Sequence, residues 1–344
     1  MTEFYLNIIL LMIRLRNSFR TSLSLVAVLL LSAFTSAGAR DRMSAYLFAY
    51  FTGNDPAQEQ VHLAYSYDGF DYTPLNGGKP IIGSDSIAIM KGVRDPHILR
   101  GEDGYFYMVV TDMRCSLGWS SNRGIVLMRS KDMVHWSHHT VHFPERYKGT
   151  NLEHVTRVWA PQTIWDAKAQ RYLVYFSLLT NDGSIPYDRV YYAYANADFS
   201  DLETVPEVFF DYGQAAIDTD IALDDNGTYH IFFKTEGARV KGLKQYVARD
   251  LSDWHSWRIV DGYCQDTNKA VEGAGVFRLL DGNWCLMYDC YTSGHYQFCI
   301  SQDLLFFHAV RDTQTRGAFT PRHGTVIQIT KKELKRLQRA FPNP

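Results

Sequence analysis

Ser130-Lys131-Asp132-Met133-Val134-His135-Trp136 follows an apolar run and decides the fold, because its pattern recurs. A small or polar residue, any residue, then Asp with an aromatic close behind returns at Ser66-Tyr67-Asp68 with Phe70 and at Asn196-Ala197-Asp198 with Phe199. It returns again at Ala248-Arg249-Asp250 with Trp254 and at Ser301-Gln302-Asp303 with Phe306. Successive Asp residues lie 64, 66, 52 and 53 positions apart. Each copy fits a hairpin turn between the third and fourth strands of a repeating unit, with the aromatic packed behind the turn.

Upstream of four of these turns lies a strand, a polar turn and a second strand. The pairs are residues 96–99 with 104–108, 163–165 with 172–176, 221–223 with 229–233, and 276–279 with 284–288. The turns Glu102-Asp103-Gly104, Asp225-Asn226-Gly227 and Asp281-Gly282-Asn283 carry the Gly, Asn and Asp chemistry that tight hairpins require. Four-stranded units at this spacing predict an all-β chain folded as a five-bladed β-propeller. The fifth unit lacks its upstream pair, so residues 46–51, 61–65 and 72–75 are expected to join residues 325–329. That closes the ring with N-terminal and C-terminal strands in one blade and leaves no exposed sheet edge. A β-sandwich is the alternative, disfavoured by the regular spacing. Only Lys331–Ala340 reads as a helix of any length, a C-terminal cap.

The 344 residues can fill one large all-β domain or two ordinary ones. Lys and Arg number 35 against 37 Asp and Glu, so no basic face is implied and nucleic acid is excluded as a partner. Aromatics make up 14% of the chain, as strands favour. The N-terminus stands apart. Arg14, Arg16 and Arg20 precede an apolar run over residues 23–34, then Ser36-Ala37-Gly38-Ala39. Residues 1–39 therefore read as a signal peptide, too short to span a bilayer comfortably, with residues 40–344 as the propeller domain. Secretion or periplasmic export is expected, with no membrane association after cleavage. Five cysteines lack C-x-x-C spacing, which argues against zinc. Export permits disulfides, and Cys290 with Cys299 could bridge a hairpin.

The innermost strands of a propeller line a central channel, so their N-terminal ends meet at one mouth. Here those starts carry Asp95, Pro161-Gln162, Asp218 and Glu272, with His323 before the closing strand. Three acids and a histidine converging in one funnel exceed what packing needs, since buried carboxylates are costly unless paired or used. Glycoside cleavage uses such a set: a protonated carboxyl for the leaving oxygen and a carboxylate that activates water or attacks the sugar. Asp224, Asp225 and Asp281 read instead as turn caps.

Val93-Arg94-Asp95-Pro96-His97-Ile98, Trp159-Ala160-Pro161, Ile217-Asp218-Thr219-Asp220-Ile221, Val271-Glu272-Gly273 and Arg322-His323-Gly324-Thr325-Val326 occur in that order. Together they resemble the motifs of glycoside hydrolase family 43. The resemblance implies Asp95 as general base, Asp218 as orienting and tuning acid, and Glu272 as general acid of an inverting reaction. It further implies that Trp159 and Arg322 border the bound sugar. His323 would lie on the axis, where a structural calcium or sodium ion is held through water, and no cofactor is required. Gln162, Thr219 and Ala274 depart from the family pattern and put the sugar in doubt. The family's range points to an exo-acting α-L-arabinofuranosidase or β-xylosidase, a monomer acting on arabinose- or xylose-containing glycans. One rival is an invertase-like retaining β-fructosidase, suggested by Arg94-Asp95-Pro96 and by Asn54-Asp55-Pro56. Another is a non-catalytic carbohydrate-binding propeller.

Overall fold

The recurring Ser-x-Asp sequence builds the same turn wherever it stands. In the computed structural model, which describes residues 42–236, 242–314 and 317–344, Asp132 Oδ1 accepts from the N–H groups of Val134 and His135. Ser130 Oγ accepts from Met133 N–H. Asp68 with Ser66, and Asp303 with Ser301, repeat that arrangement on their own following residues. Short side chains thus take up backbone donors that a tight turn leaves without partners. The aromatic behind the turn packs inward at Phe70, Trp136, Phe199 and Trp254. Phe306 is the exception, 80% exposed, and its neighbour Phe307 packs on Phe232 instead.

Five antiparallel four-stranded sheets result, the five-bladed β-propeller expected from the repeat. Blade 1 runs outward from Val93–Arg100 through Phe106–Asp112 and Gly124–Ser130 to Ser137–His142. Blades 2, 3 and 4 begin on inner strands Val155–Asp166, Ala216–Leu223 and Glu272–Arg278. Blade 5 combines Gly324–Thr330, innermost, with Met43–Tyr50, His62–Ser66 and Thr73–Pro74. Its closing register pairs Tyr50 with Gly324 and Phe48 with Val326. Each inner strand packs on the inner strand of the next blade around the ring. Side chains stitch these neighbours: Ile98 N–H donates to Thr325 Oγ1, Thr163 N–H to His97 Nδ1, and Val276 N–H to Asp220 Oδ2.

Apolar side chains on the outward faces pack between blades, as where Phe48 meets Tyr296 and Tyr46 meets Phe277. The helix Lys331–Ala340 opens on a capping box between Thr330 and Glu333, and buries Leu334 and Leu337. Arg100 donates to both Glu333 oxygens and ties the helix to blade 1. All five cysteines are free. Cys290 and Cys299 do not form the expected bridge, because the register sets Cys290 opposite His295 and Cys299 opposite Leu286. Among the described residues no helix is long and apolar enough to cross a membrane. The signal-peptide reading of residues 1–39 lies outside the described residues.

Ring closure depends on a close approach at Gly324. A Cβ there would stand 2.0 Å from the Ala49 carbonyl oxygen and 2.9 Å from Tyr50 Cα, both backbone atoms. Gly324→Ala is therefore expected to cost about 1–3 kcal/mol or more and to lower Tm in a thermal melt. An unchanged Tm would show that the closing strands do not hold the ring.

Candidate active site

Four inner strands share one irregularity, and it builds the site. In each, three residues span the distance that two span on the neighbouring strand: Arg94 to His97, Trp159 to Gln162, Ile217 to Asp220, and Glu272 to Gly275. Each is a one-residue bulge, which bends the strand and re-aims side chains. Its second residue has a positive φ: Asp95 at 52°, Ala160 at 43°, Asp218 at 53° and Gly273 at 64°. Three non-glycine residues held in this region are uncommon, and such backbone strain gathers at functional sites.

The bulge corrects the expected equivalences. Asp95 and Asp218 occupy the same structural position, shared with Ala160 and Gly273. Glu272 stands one position earlier, in register with Arg94, Trp159 and Ile217. Gln162 falls two residues beyond Ala160, a layer deeper, where its Oε1 accepts from Tyr175. Asp220 and His97 share that layer, and none of the three lines the mouth. There Asp95, Asp218, Glu272, Trp159, Arg322 and His323 enclose one cavity of about 200 Å³, so all six residues singled out by sequence come together.

His323 organises the acids. Its Nδ1 lies 3.5 Å from Asp95 Oδ1 and 3.6 Å from Asp218 Oδ1, all three side chains being buried. Burial opposes a charge on the ring, but Asp218, Asp95 and Glu272 outweigh it and push His323 up to about 9. Burial also favours a neutral Asp95. The His323 hydrogen bond and charge, the nearby Arg94 and the hydroxyl of Thr111, donating at 2.9 Å, together hold it below the usual carboxylate range. Asp218 goes the other way. Burial raises it first, His323 opposes, and Glu272 adds to burial, leaving it at about 6. Two acids around one imidazolium are thus pushed apart, one ionised and one ready to hold a proton near neutrality. Asp218 Oδ2 also accepts from Gly273 N–H at 3.0 Å, which fixes the backbone beside Glu272.

Glu272 is held by two cations. Arg322 Nη2 donates to its Oε1 at 2.6 Å, and Lys234 Nζ donates to its Oε2 at 3.3 Å. Arg322 also donates through Nε to the buried Asp289 at 2.6 Å. Sequence reasoning passed over Asp289 and Lys234, which lie at the ends of second strands that run back to the mouth. The register gives the signal: Thr111, Ser177, Lys234 and Asp289 are the cross-strand partners of Arg94, Trp159, Ile217 and Glu272. The opposite wall was missed as well. The Arg94 guanidinium lies 4.5 Å from the Phe51 ring centre and 5.4 Å from that of Trp119, and it donates to Asn54. Trp119 in turn packs 5.8 Å from Trp159. Tyr291 also lines the cavity, with Lys234 Nζ 4.9 Å from its ring centre.

Asp55, which a retaining fructosidase would use as nucleophile, is exposed and does not line the cavity. Asn54 faces it instead. Among the described residues no group of three or more His, Cys, Asp or Glu side chains is placed to hold a metal. An ion beside His323 would have to be held through water, as the resemblance implies.

Residues 41–335 match a family-43-related model described as "Probable glycosyl hydrolase domain". An alpha-L-arabinofuranosidase of Bifidobacterium longum subsp. longum is 29% identical over 202 residues, which cover 51% of this chain and 18% of that protein. The chain thus spans less than a fifth of that relative's length. A solved thermostable family-43 glycoside hydrolase superposes with TM-score 0.51 at 21% identity, over 70% of this chain and 80% of the other. An endo-arabinase from Bacteroides thetaiotaomicron gives TM-score 0.50 at 16% identity, over 72% and 96%. These two likenesses show the fold. With the family match spanning nearly the whole propeller, the chain belongs to the family-43-related glycosyl hydrolases.

Proposed function

We propose that the protein hydrolyses terminal glycosidic bonds with inversion, releasing α-L-arabinofuranose, with β-linked xylose as the next candidate. The observation that carries this reading is the set of acids around one small cavity: Asp95, held ionised with His323 Nδ1 at 3.5 Å, and Glu272 line the same cavity. In the reaction Asp95 takes a proton from water as the water oxygen bonds to the anomeric carbon. Glu272 gives its proton to the glycosidic oxygen as that bond breaks. Asp218 orients both, through His323 on one side and Gly273 N–H on the other. A cavity of about 200 Å³ suits a single sugar ring, below the roughly 300–1,000 Å³ of sites for larger ligands, and this supports exo action. The arabinose assignment leans on the partial likeness to the Bifidobacterium longum enzyme. Export follows from the reading of residues 1–39. No reaction step needs a cofactor, and an axial calcium or sodium ion would serve structure alone.

The test is a screen of nitrophenyl α-L-arabinofuranoside, β-D-xyloside and β-D-galactoside, with the first-formed product anomer read by NMR. Turnover of the arabinofuranoside with inverted product is expected. Retained configuration would overturn the mechanism. Binding of arabino-oligosaccharides without hydrolysis of any glycoside would turn the reading to a carbohydrate-binding propeller.

A further inference from the structure

A general acid must hold a proton when substrate arrives, yet Glu272 is met on each oxygen by a cation. Left to themselves, Arg322 and Lys234 would favour the carboxylate and work against proton donation. Each cation is itself backed by a second acid. Arg322 Nε donates to Asp289 Oδ2 at 2.6 Å, a bond as short as its own to Glu272. Lys234 Nζ lies 2.6 Å from Glu236 Oε1, closer than its 3.3 Å to Glu272. Asp289 is the cross-strand partner of Glu272, and Glu236 follows the strand that carries Lys234. Both cations are poised between two acids, and in each pairing the outer acid binds at least as closely as Glu272.

We propose that Asp289 and Glu236 are positioning residues for the general acid. They draw Arg322 and Lys234 away from Glu272, so that its carboxyl can carry the proton it donates while staying aimed at the leaving oxygen. The inference rests on the role given to Glu272 above and adds what makes that role workable.

The surroundings fit this division of charge. The Arg322 main chain is fixed from behind, its own N–H donating to the Phe51 carbonyl. Lys234 is buried and its ammonium lies 4.9 Å from the Tyr291 ring centre, which holds it without adding an anion. The other charged groups facing Glu272 are Asp218 and His323, of opposite sign when both are ionised. Tyr296, buried beside Asp289, has its hydroxyl raised by burial and stays neutral. Burial likewise pushes Asp289 up to about 6, with Arg322 opposing, so the Arg322 anchor is complete only above that range. Removing either outer acid takes away an anion that competes with Glu272 for the cation.

The experiment compares Asp289→Asn and Glu236→Gln with the wild type. The expected result is that the alkaline limb of the kcat/KM profile moves to lower pH, by about one unit in each variant, with KM little changed. Turnover at neutral pH should fall about tenfold on a poor leaving group and much less on a dinitrophenyl glycoside. A purely structural role would lower Tm and leave the limb in place, and that outcome overturns the proposal. Asp289→Asn takes one of two acids from the half-buried Arg322 and changes a buried position, so it is the riskier variant for folding. Glu236 is 25% exposed, so Glu236→Gln carries the test on its own if the first does not fold. Carboxyl NMR of protein labelled at glutamate, with the Glu272 signal assigned by its absence in Glu272→Gln, reads the same shift without any substrate. Should the wild type hydrolyse no glycoside, that titration still decides whether the outer acids govern proton uptake at Glu272. An unmoved midpoint in Glu236→Gln overturns the clamp, and a wild type inactive on every glycoside overturns the function.

Discussion

Asp95→Asn is expected to lower kcat on aryl glycosides by about 10²–10⁴-fold, the range general base catalysis commonly supplies, while the folded propeller survives. The choice of Asn follows from the backbone. Asp95 sits at φ 52°, a conformation that Asn tolerates far better than Ala. Asn also retains an oxygen for the Thr111 hydroxyl now donating at 2.9 Å. What it loses is the ability to take a proton from water. His323 keeps Asp218 as its counter-charge at 3.6 Å, so the imidazolium is not left alone in the channel. Kinetics beside a thermal melt separate the two effects: activity within a few-fold of wild type would remove Asp95 from the mechanism. An Ala variant would mix lost chemistry with backbone strain and could not be read so cleanly.

The contrast between Asp95 and Asp289 shows what sequence carried and where it ran out. The turns could be read because Ser66-Tyr67-Asp68 and its relatives satisfy their own backbone donors locally, and local chemistry leaves a local signature. Blade number, ring closure at residues 46–51 with 325–329, and the convergence of Asp95, Asp218 and Glu272 follow from those turns and from the direction of the inner strands. The bulge is less visible. Nothing in Trp159-Ala160-Pro161-Gln162 says that Ala160 takes the place of Asp95, so spacing alone puts Gln162 at the mouth, whereas the bulge places it one layer below. Lys234 and Asp289 enter from second strands, and their place depends on cross-strand register, which spacing along the chain does not encode. The wall formed by Phe51, Asn54, Arg94 and Trp119 draws on the segment after Met43–Tyr50, the inner strand Val93–Arg100 and the turn that carries Trp119, far apart in sequence. Its coherence is that of a cation between two rings, visible only once the blades are assembled.

Glu272→Ala should divide substrates by leaving group, and this is the larger test of the site. On an alkyl glycoside or an oligosaccharide, whose leaving oxygen must be protonated as the bond breaks, kcat should fall by about 10²–10⁴-fold. On a dinitrophenyl glycoside, whose phenolate leaves without help, most of the rate should remain. The protein should fold, because truncation does not strand the cations. Arg322 keeps Asp289 at 2.6 Å and Lys234 keeps Glu236 at 2.6 Å. This differs from the usual loss of one member of a buried ion pair, where the orphaned charge costs several kcal/mol. The measurement is a plot of log kcat/KM against leaving-group pKa for wild type and variant, steep in the variant and shallow in the wild type. Equal loss across the series would mean that Glu272 only positions substrate. The proton would then have to come from another group in the cavity, and Asp218, raised to about 6 and joined to the same backbone through Gly273 N–H, is the one placed to supply it.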